Sequence, residues 1–194
     1  MKTRLCSFAI ALGLAISGVA CASGGGATGK ASSTSSPSDN VSYGEFASYS
    51  NSKYGFTLQY PKDWEKQEGA MGSAVVILSP QQGDSDKFRE NVNVLVQTLP
   101  DKMTLDQYSK LSLDQAPKLI TGFDLLDQGP TQLAGRPARR VHYRGEQGSF
   151  RLEWEQVWTV MGGQAFILTY TAERDRYDAY LRTAEATFAS FRLL

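Results

Sequence analysis

The sequence predicts an α+β domain: a central antiparallel β-sheet flanked by helices, behind a leader and a linker. Three observations carry this. Residues 150–171, FRLEWEQVWTVMGGQAFILTYT, hold two apolar, β-branched and aromatic runs around Gly162-Gly163, the pattern of a long antiparallel hairpin. Short stretches with a period of two precede it, joined by connections too short for parallel crossovers. Two stretches with helical spacing, one after Thr104 and one after Tyr177, supply the helices that pack on the sheet.

In chain order, residues 46–51 and 54–60 read as two short strands. The second alternates Phe56, Leu58 and Tyr60 with Thr57 and Gln59, and Pro61 ends it because proline has no donor for a ladder. Residues 61–64 turn, with Trp64 closing one end of the core. Residues 74–78 are a continuous apolar run, a strand buried on both faces; 81–89 are polar and turn-rich; 91–99 alternate Val92, Val94 and Val96 with Asn93 and Gln97. Thr104 is placed to cap a helix reaching about Leu119, with Pro117 near its end. A strand starts at Phe123, Gly129-Pro130 turns, and 133–135 turn again. Residues 138–144 form a strand with Val141 and Tyr143 on one side and Arg140, His142 and Arg144 on the other. The last helix carries Tyr177, Tyr180, Leu181, Ala184, Phe188 and Phe191 on one stripe, a core pattern.

The hairpin admits two registers. A two-residue loop sets Trp158 opposite Ile167 and Val157 opposite Leu168. A three-residue loop ending at Gln164 sets Trp158 opposite Leu168. A one-residue slip exchanges the faces of every side chain. The three-residue register gathers Phe150, Leu152, Trp154 and Trp158 with Phe166, Leu168 and Tyr170 on one face and leaves Arg151, Glu153 and Glu155 on the other. Its larger apolar face favours it.

The first 20 residues have the layout of an export signal. Lys2 and Arg4 precede an uncharged, apolar and small-residue stretch. That stretch is too short to span a bilayer comfortably as a permanent helix. Gly18-Val19-Ala20-Cys21 resembles the lipobox of bacterial lipoproteins, with Gly18 where those proteins prefer leucine. The resemblance implies cleavage before Cys21 and acylation of Cys21, which becomes the membrane anchor. An ordinary signal peptide cut at Ala20 or Ala22, leaving Cys21 free, is the plainer alternative. Residues 21–42 are rich in Gly, Ser, Thr and Ala and read as a flexible linker. Within it GGGATGK imitates a phosphate-binding loop, but Ala31 stands where the Ser or Thr belongs and no strand leads in. Residues 43–194 make one domain, long enough to bury a core.

Composition narrows the function. The 20 basic and 20 acidic residues cancel; without Lys2 and Arg4 the balance is −2, so there is no basic excess of the kind nucleic acid needs. The two cysteines, Cys6 and Cys21, both precede the domain, which excludes a disulfide framework or thiolate metal site within it.

Several short motifs converge on one family. Tyr54-Gly55-Phe56 leading to Tyr60-Pro61-Lys62-Asp63-Trp64, Leu133-Ala134-Gly135-Arg136-Pro137-Ala138, the run 163–170, and Ala189-Ser190-Phe191 occur in this order over 43–194. The chain resembles the PsbP-like and DcrB-like proteins. The resemblance implies a central antiparallel sheet with helices on both faces, no enzyme activity and no cofactor. It further implies a role as a small subunit, assembly factor or envelope component. No histidine pair matches the metal site of some members, so none is carried over.

The residues themselves leave little room for chemistry. His142 is the only histidine, and neither a Gly-x-Ser-x-Gly elbow nor a cysteine stands near it in sequence. Glu153 and Glu155 share a strand face and could hold one proton between them, although cross-strand pairing with Arg140 or Arg144 is the simpler expectation. Asp84 and Asp86 lack the further ligands of a calcium loop. Arg136, Arg139, Arg140, Arg144 and Arg151 are the one local basic excess and the candidate partner-binding surface. The sequence thus predicts an exported, non-enzymatic binding or assembly module. Acyl chains on Cys21 would hold it to a cell membrane, at the periplasmic face of the outer membrane in a Gram-negative source, with an envelope protein as partner. The alternatives are a small hydrolase using His142 with Glu153 and Glu155, and a carrier with an apolar cavity beside the tryptophans.

Overall fold

The computed structural model describes residues 45–194; the leader, Cys21 and the linker lie outside the described residues. The elements are β1 (Phe46–Asn51), β2 (Phe56–Pro61), β3 (Glu65–Glu68), β4 (Val75–Leu78), β5 (Asn91–Thr98), α1 (Leu105–Leu119), β6 (Thr121–Leu133), β7 (Arg136–Gln147), β8 (Phe150–Met161), β9 (Gln164–Glu173), α2 (Tyr177–Ser190) and β10 (Arg192–Leu193). Seven strands form one antiparallel sheet in the order β3-β4-β5-β9-β8-β7-β6. A second sheet is β1-β2-β10. The α+β class is as expected; the split into two sheets is an addition.

Each face of the large sheet has its own core. On one, Val92, Val94, Leu168 and Tyr170 pack with Phe56 and Leu58 of the small sheet and Ala184 and Phe188 of α2. On the other, Val141, Trp154, Trp158 and Ile167 pack with Tyr108 and Ala116 of α1. Trp64 closes the first core edge-on against Tyr180, with ring centroids 5.6 Å apart. Thr104 caps α1 through a reciprocal box: its hydroxyl accepts from Gln107 N at 3.2 Å, and Gln107 Oε1 accepts from Thr104 N at 2.9 Å.

The hairpin takes the two-residue loop, not the three-residue one. Trp158 pairs with Ile167, Val157 with Leu168 and Met161 with Gln164. Gly162 and Gly163 both have positive φ, 57° and 74°, a backbone only glycine adopts freely and one that follows the twist of the strands. Phe166, Leu168 and Tyr170 therefore face α2, whereas Leu152, Trp154 and Trp158 face α1. Helices cover both faces, so the large apolar residues divide between them and do not gather on one.

Two strands differ from expectation. Gly129-Pro130 is not a turn: both residues lie inside β6, paired with Arg140 and Arg139. β6 is an edge strand, where a missing donor faces solvent and proline is tolerated. Its register also shifts twice, between Thr121 and Asp124 and between Leu125 and Asp127. β3, sequence EKQE, has no apolar residue to announce it; it pairs along β4 at the other edge.

Where α1 hands over to β6, the sheet comes very close to Ile120. A Cβ on Gly145 would lie 2.3 Å from Ile120 Cγ2 and 3.0 Å from Thr121 O. Gly145→Ala is expected to destabilise the fold by about 2 kcal/mol, the usual cost of overpacking. Urea unfolding checks this, and Gly145→Ala/Ile120→Ala should be less destabilised than the sum of the two single changes, because the second removes the methyl that the first strikes.

Candidate functional site

Alternation along β7 and β8 places Arg140, His142 and Arg144 on the α2 face with Glu153 and Glu155. His142 stands opposite Glu155, and Arg144 opposite Glu153. The contacts, however, run diagonally. Arg140 Nη1 donates to Glu155 Oε2 at 2.9 Å, and His142 Nε2 meets Glu153 Oε1 at 2.6 Å. Arg140 also pairs with Asp127, and Arg144 Nε donates to Asp124 Oδ2 at 2.9 Å, so β6 completes the row. The expected pairing of Glu155 with Arg140 is present, while Glu153 takes the histidine and not Arg144.

Tyr177, the first residue of α2, lies flat over this row. Its ring stacks on His142 at 4.9 Å and 10°. Burial, reinforced by the negative fields of Glu155 and Glu153, pushes its phenol far above the ordinary tyrosine range. Tyr170 Oη donates to the Tyr177 carbonyl at 2.7 Å and fixes the lid in place. His142, Glu153 and Glu155 are thus brought together, as the hydrolase alternative requires. They are brought together under a tyrosine, with each side chain bonded to a neighbour. The surface clefts of 290, 380, 400 and 460 Å³ are lined by other residues.

The carrier alternative fares similarly. The cavity beside Trp158, between α1 and the sheet, has a volume of about 20 Å³. That is space for one water molecule, not a ligand.

The five arginines do not form one surface. Arg140 and Arg144 are neutralised as above, and Arg139 alternates onto the α1 face. Arg151 pairs with Glu146 and Arg139 with Trp158, which puts them at opposite ends of β8, roughly 23 Å apart at a strand's rise. Arg151 belongs to a different group that the sequence reading missed. It lines a cleft of 400 Å³ with Ser149, Glu173, Arg174, Asp175 and Arg176, at the junction of β9 and α2. The signal was the charged run Glu173-Arg174-Asp175-Arg176 just ahead of an amphipathic helix.

Beneath this cleft lies Glu90, fully buried. Arg176 Nε stands 3.2 Å from Glu90 Oε1, and Ser79 Oγ donates to Oε2 at 3.4 Å. Burial raises the Glu90 carboxyl above the ordinary range, against the pull of Arg176. Arg176 Nη2 also donates to Tyr180 Oη at 3.2 Å. Among the described residues no cluster of three His, Cys, Asp or Glu is placed to hold a metal ion.

The family model described as DcrB matches residues 57–190. No curated protein matches the chain. Among solved structures, the fold is similar to cyanobacterial PsbP (CyanoP) from Synechocystis, at 19% identity and a TM-score of 0.59 over 82% of this chain and 98% of that one. It is similar to LpqN, involved in cell envelope biogenesis of Mycobacterium tuberculosis, at 16% identity and 0.55 over 77% and 90%. It is also similar to the Ran-binding protein Mog1p of Saccharomyces cerevisiae, at 8% and 0.54 over 77% and 95%. At these identities the likeness is one of fold.

Proposed function

The chain belongs to the DcrB family, and on that premise we propose that it is a non-enzymatic binding or assembly module of the cell envelope, tethered through acyl chains on Cys21. The observation that carries this reading is the order of the sequence. A charged leader, an apolar stretch, Gly18-Val19-Ala20-Cys21 and a Gly/Ser-rich run precede the family domain. Two or more acyl chains on one cysteine give a stable membrane anchor, which a single chain does not. Residues 21–42 separate Cys21 from the domain, a spacing that would let the domain meet a partner beside the membrane. The quenched row of Arg140, His142, Glu153 and Glu155 under Tyr177 supports a non-catalytic role, and LpqN offers a precedent for this fold in envelope biogenesis.

The test pairs labelling with crosslinking in the source cell. The full-length protein should take up an alkyne fatty acid and sediment with membranes. Cys21→Ser should lose the label and leave the membrane fraction. In-cell crosslinking should then yield one stoichiometric envelope protein with the wild type, and less of it when Arg136 and Arg139, which share one end of β7, are reversed to glutamate. Unlabelled wild type would remove the tether, and background proteins alone would remove the stable-partner role.

A further inference from the structure

The cleft at the start of α2 holds cations that the fold itself does not neutralise. Arg140, Arg144, Arg89 and Arg176 each have a carboxylate within 3.2 Å. Arg151 and Arg174 have none within 4.0 Å among the described residues, although Glu173 and Asp175 line the same cleft. The Nη2 of Arg174 donates to Gly145 O at 3.3 Å, and its buried Nε–H has no acceptor. A buried donor without a partner is uncommon and raises the question of what completes it. The neighbouring cleft of 380 Å³ shares Ser149, Glu173 and Arg176 and adds Lys87. Asp86 in that cleft is held by its own loop, its two oxygens accepting from Gln82 N and Phe88 N, and it pairs with neither Arg151 nor Arg174.

We propose that this cleft is an oxyanion site that takes a phosphate group, held by Arg151 and Arg174 with the Ser149 hydroxyl. Guanidinium groups supply paired donors matched to phosphate oxygens. Here they come from two directions, the start of β8 and the β9–α2 junction, which suits a tetrahedral anion better than a flat carboxylate. Glu173 and Asp175 restrict the site to one anionic group and disfavour a polyanion. A volume of 400 Å³ fits a small ligand or a headgroup. The inference is independent of the tether at Cys21.

The phosphate comes either from a soluble molecule or from a lipid headgroup, and two measurements on the full chain separate these. The first is calorimetric titration with inorganic phosphate at ionic strength held constant with chloride. The second is co-sedimentation with phosphatidylglycerol vesicles against phosphatidylcholine vesicles. Arg151→Gln/Arg174→Gln should weaken phosphate binding at least tenfold, while Lys110→Gln, on α1 across the sheet, changes it less than twofold. Circular dichroism melting confirms that each variant is folded. Phosphate binding without a vesicle preference assigns a soluble phosphorylated ligand. A phosphatidylglycerol preference that vanishes in the double variant assigns a headgroup. If neither phosphate nor vesicle binding depends on Arg151 and Arg174, the proposal is wrong.

Discussion

Arg176→Ala is expected to cost the fold about 3 kcal/mol at neutral pH, because it strands a carboxylate that has no exposure to water. The lower end of the usual range applies, since the Arg176 side chain is itself 31% exposed while that of Glu90 is 1% exposed. The loss carries a pH signature. Burial raises the Glu90 carboxyl in the folded state, so the native protein binds this proton more tightly than the unfolded chain does. A raised carboxylate is a liability above its folded pKa, and stability is recovered as pH falls toward the ordinary carboxylate range. Removing Arg176 deletes the cation that opposes the rise and widens that window. Urea unfolding from pH 8 down to pH 5 should therefore show the variant catching up with the wild type on acidification. Glu90→Gln/Arg176→Ala should be more stable than Arg176→Ala at pH 8 and should lose this dependence. Equal stability of the two variants at pH 8 would mean that Arg176 acts through its packing on Tyr180, 5.6 Å from the ring, and not through Glu90.

Trp154→Ala should be more costly still, about 4 kcal/mol, as expected for emptying a fully buried aromatic site. Trp154 has no exposed surface and stacks on Tyr143 at 5.2 Å and 20°. It lies in the core under α1 against Gly145, which has no side chain to move into a void. The comparison with Trp158 sharpens the expectation. The Trp158 indole donates to Ser109 Oγ at 2.9 Å, whereas the Trp154 indole N–H is buried without a partner among the described residues. Phenylalanine at 158 takes away the donor to Ser109 Oγ, which keeps only its own bond to Leu105 O at 2.7 Å; phenylalanine at 154 removes an unmet donor. Trp154→Phe should thus cost about 1 kcal/mol less than Trp158→Phe in the same unfolding assay. The reverse order would show that the Trp154 indole finds a partner in solution.

Much of the fold was legible because its signals are local. Thr104 and Gln107 spell a helix start, 74–78 spell a buried strand, and the α2 stripe is regular. The errors arose where tertiary context overrides local signal. EKQE has no pattern, and becomes β3 only because β4 offers an edge. Pro130 reads as a break until it is seen on the outer strand. The hairpin register was misjudged because apolar content was assigned to one face when both are covered. The polar row was legible in part: alternation placed His142, Glu153 and Glu155 together, but diagonal pairing and the covering ring of Tyr177 depend on strand twist and on a helix 22 residues downstream of Glu155. Arg174 and Arg176 belong to a single 3-10 turn of helix ahead of α2, and its three-residue sequence does not tell which way the side chains converge.

The small sheet ties together segments far apart in the chain. β2 pairs with β10 through Thr57 and Arg192 and through Phe56 and Leu193, so it joins the two ends of the described domain. Phe191, beside it, is wholly buried and packs on Phe56 at 5.3 Å. Contacts of such long sequence separation form slowly and cannot form early. The core beneath β2 therefore closes late, once β10 and Phe191 have been brought back to it. Deleting Phe191 and β10 would uncover Phe56 and should turn this face of the domain into a ready target for proteolysis, which limited digestion of such a variant would show.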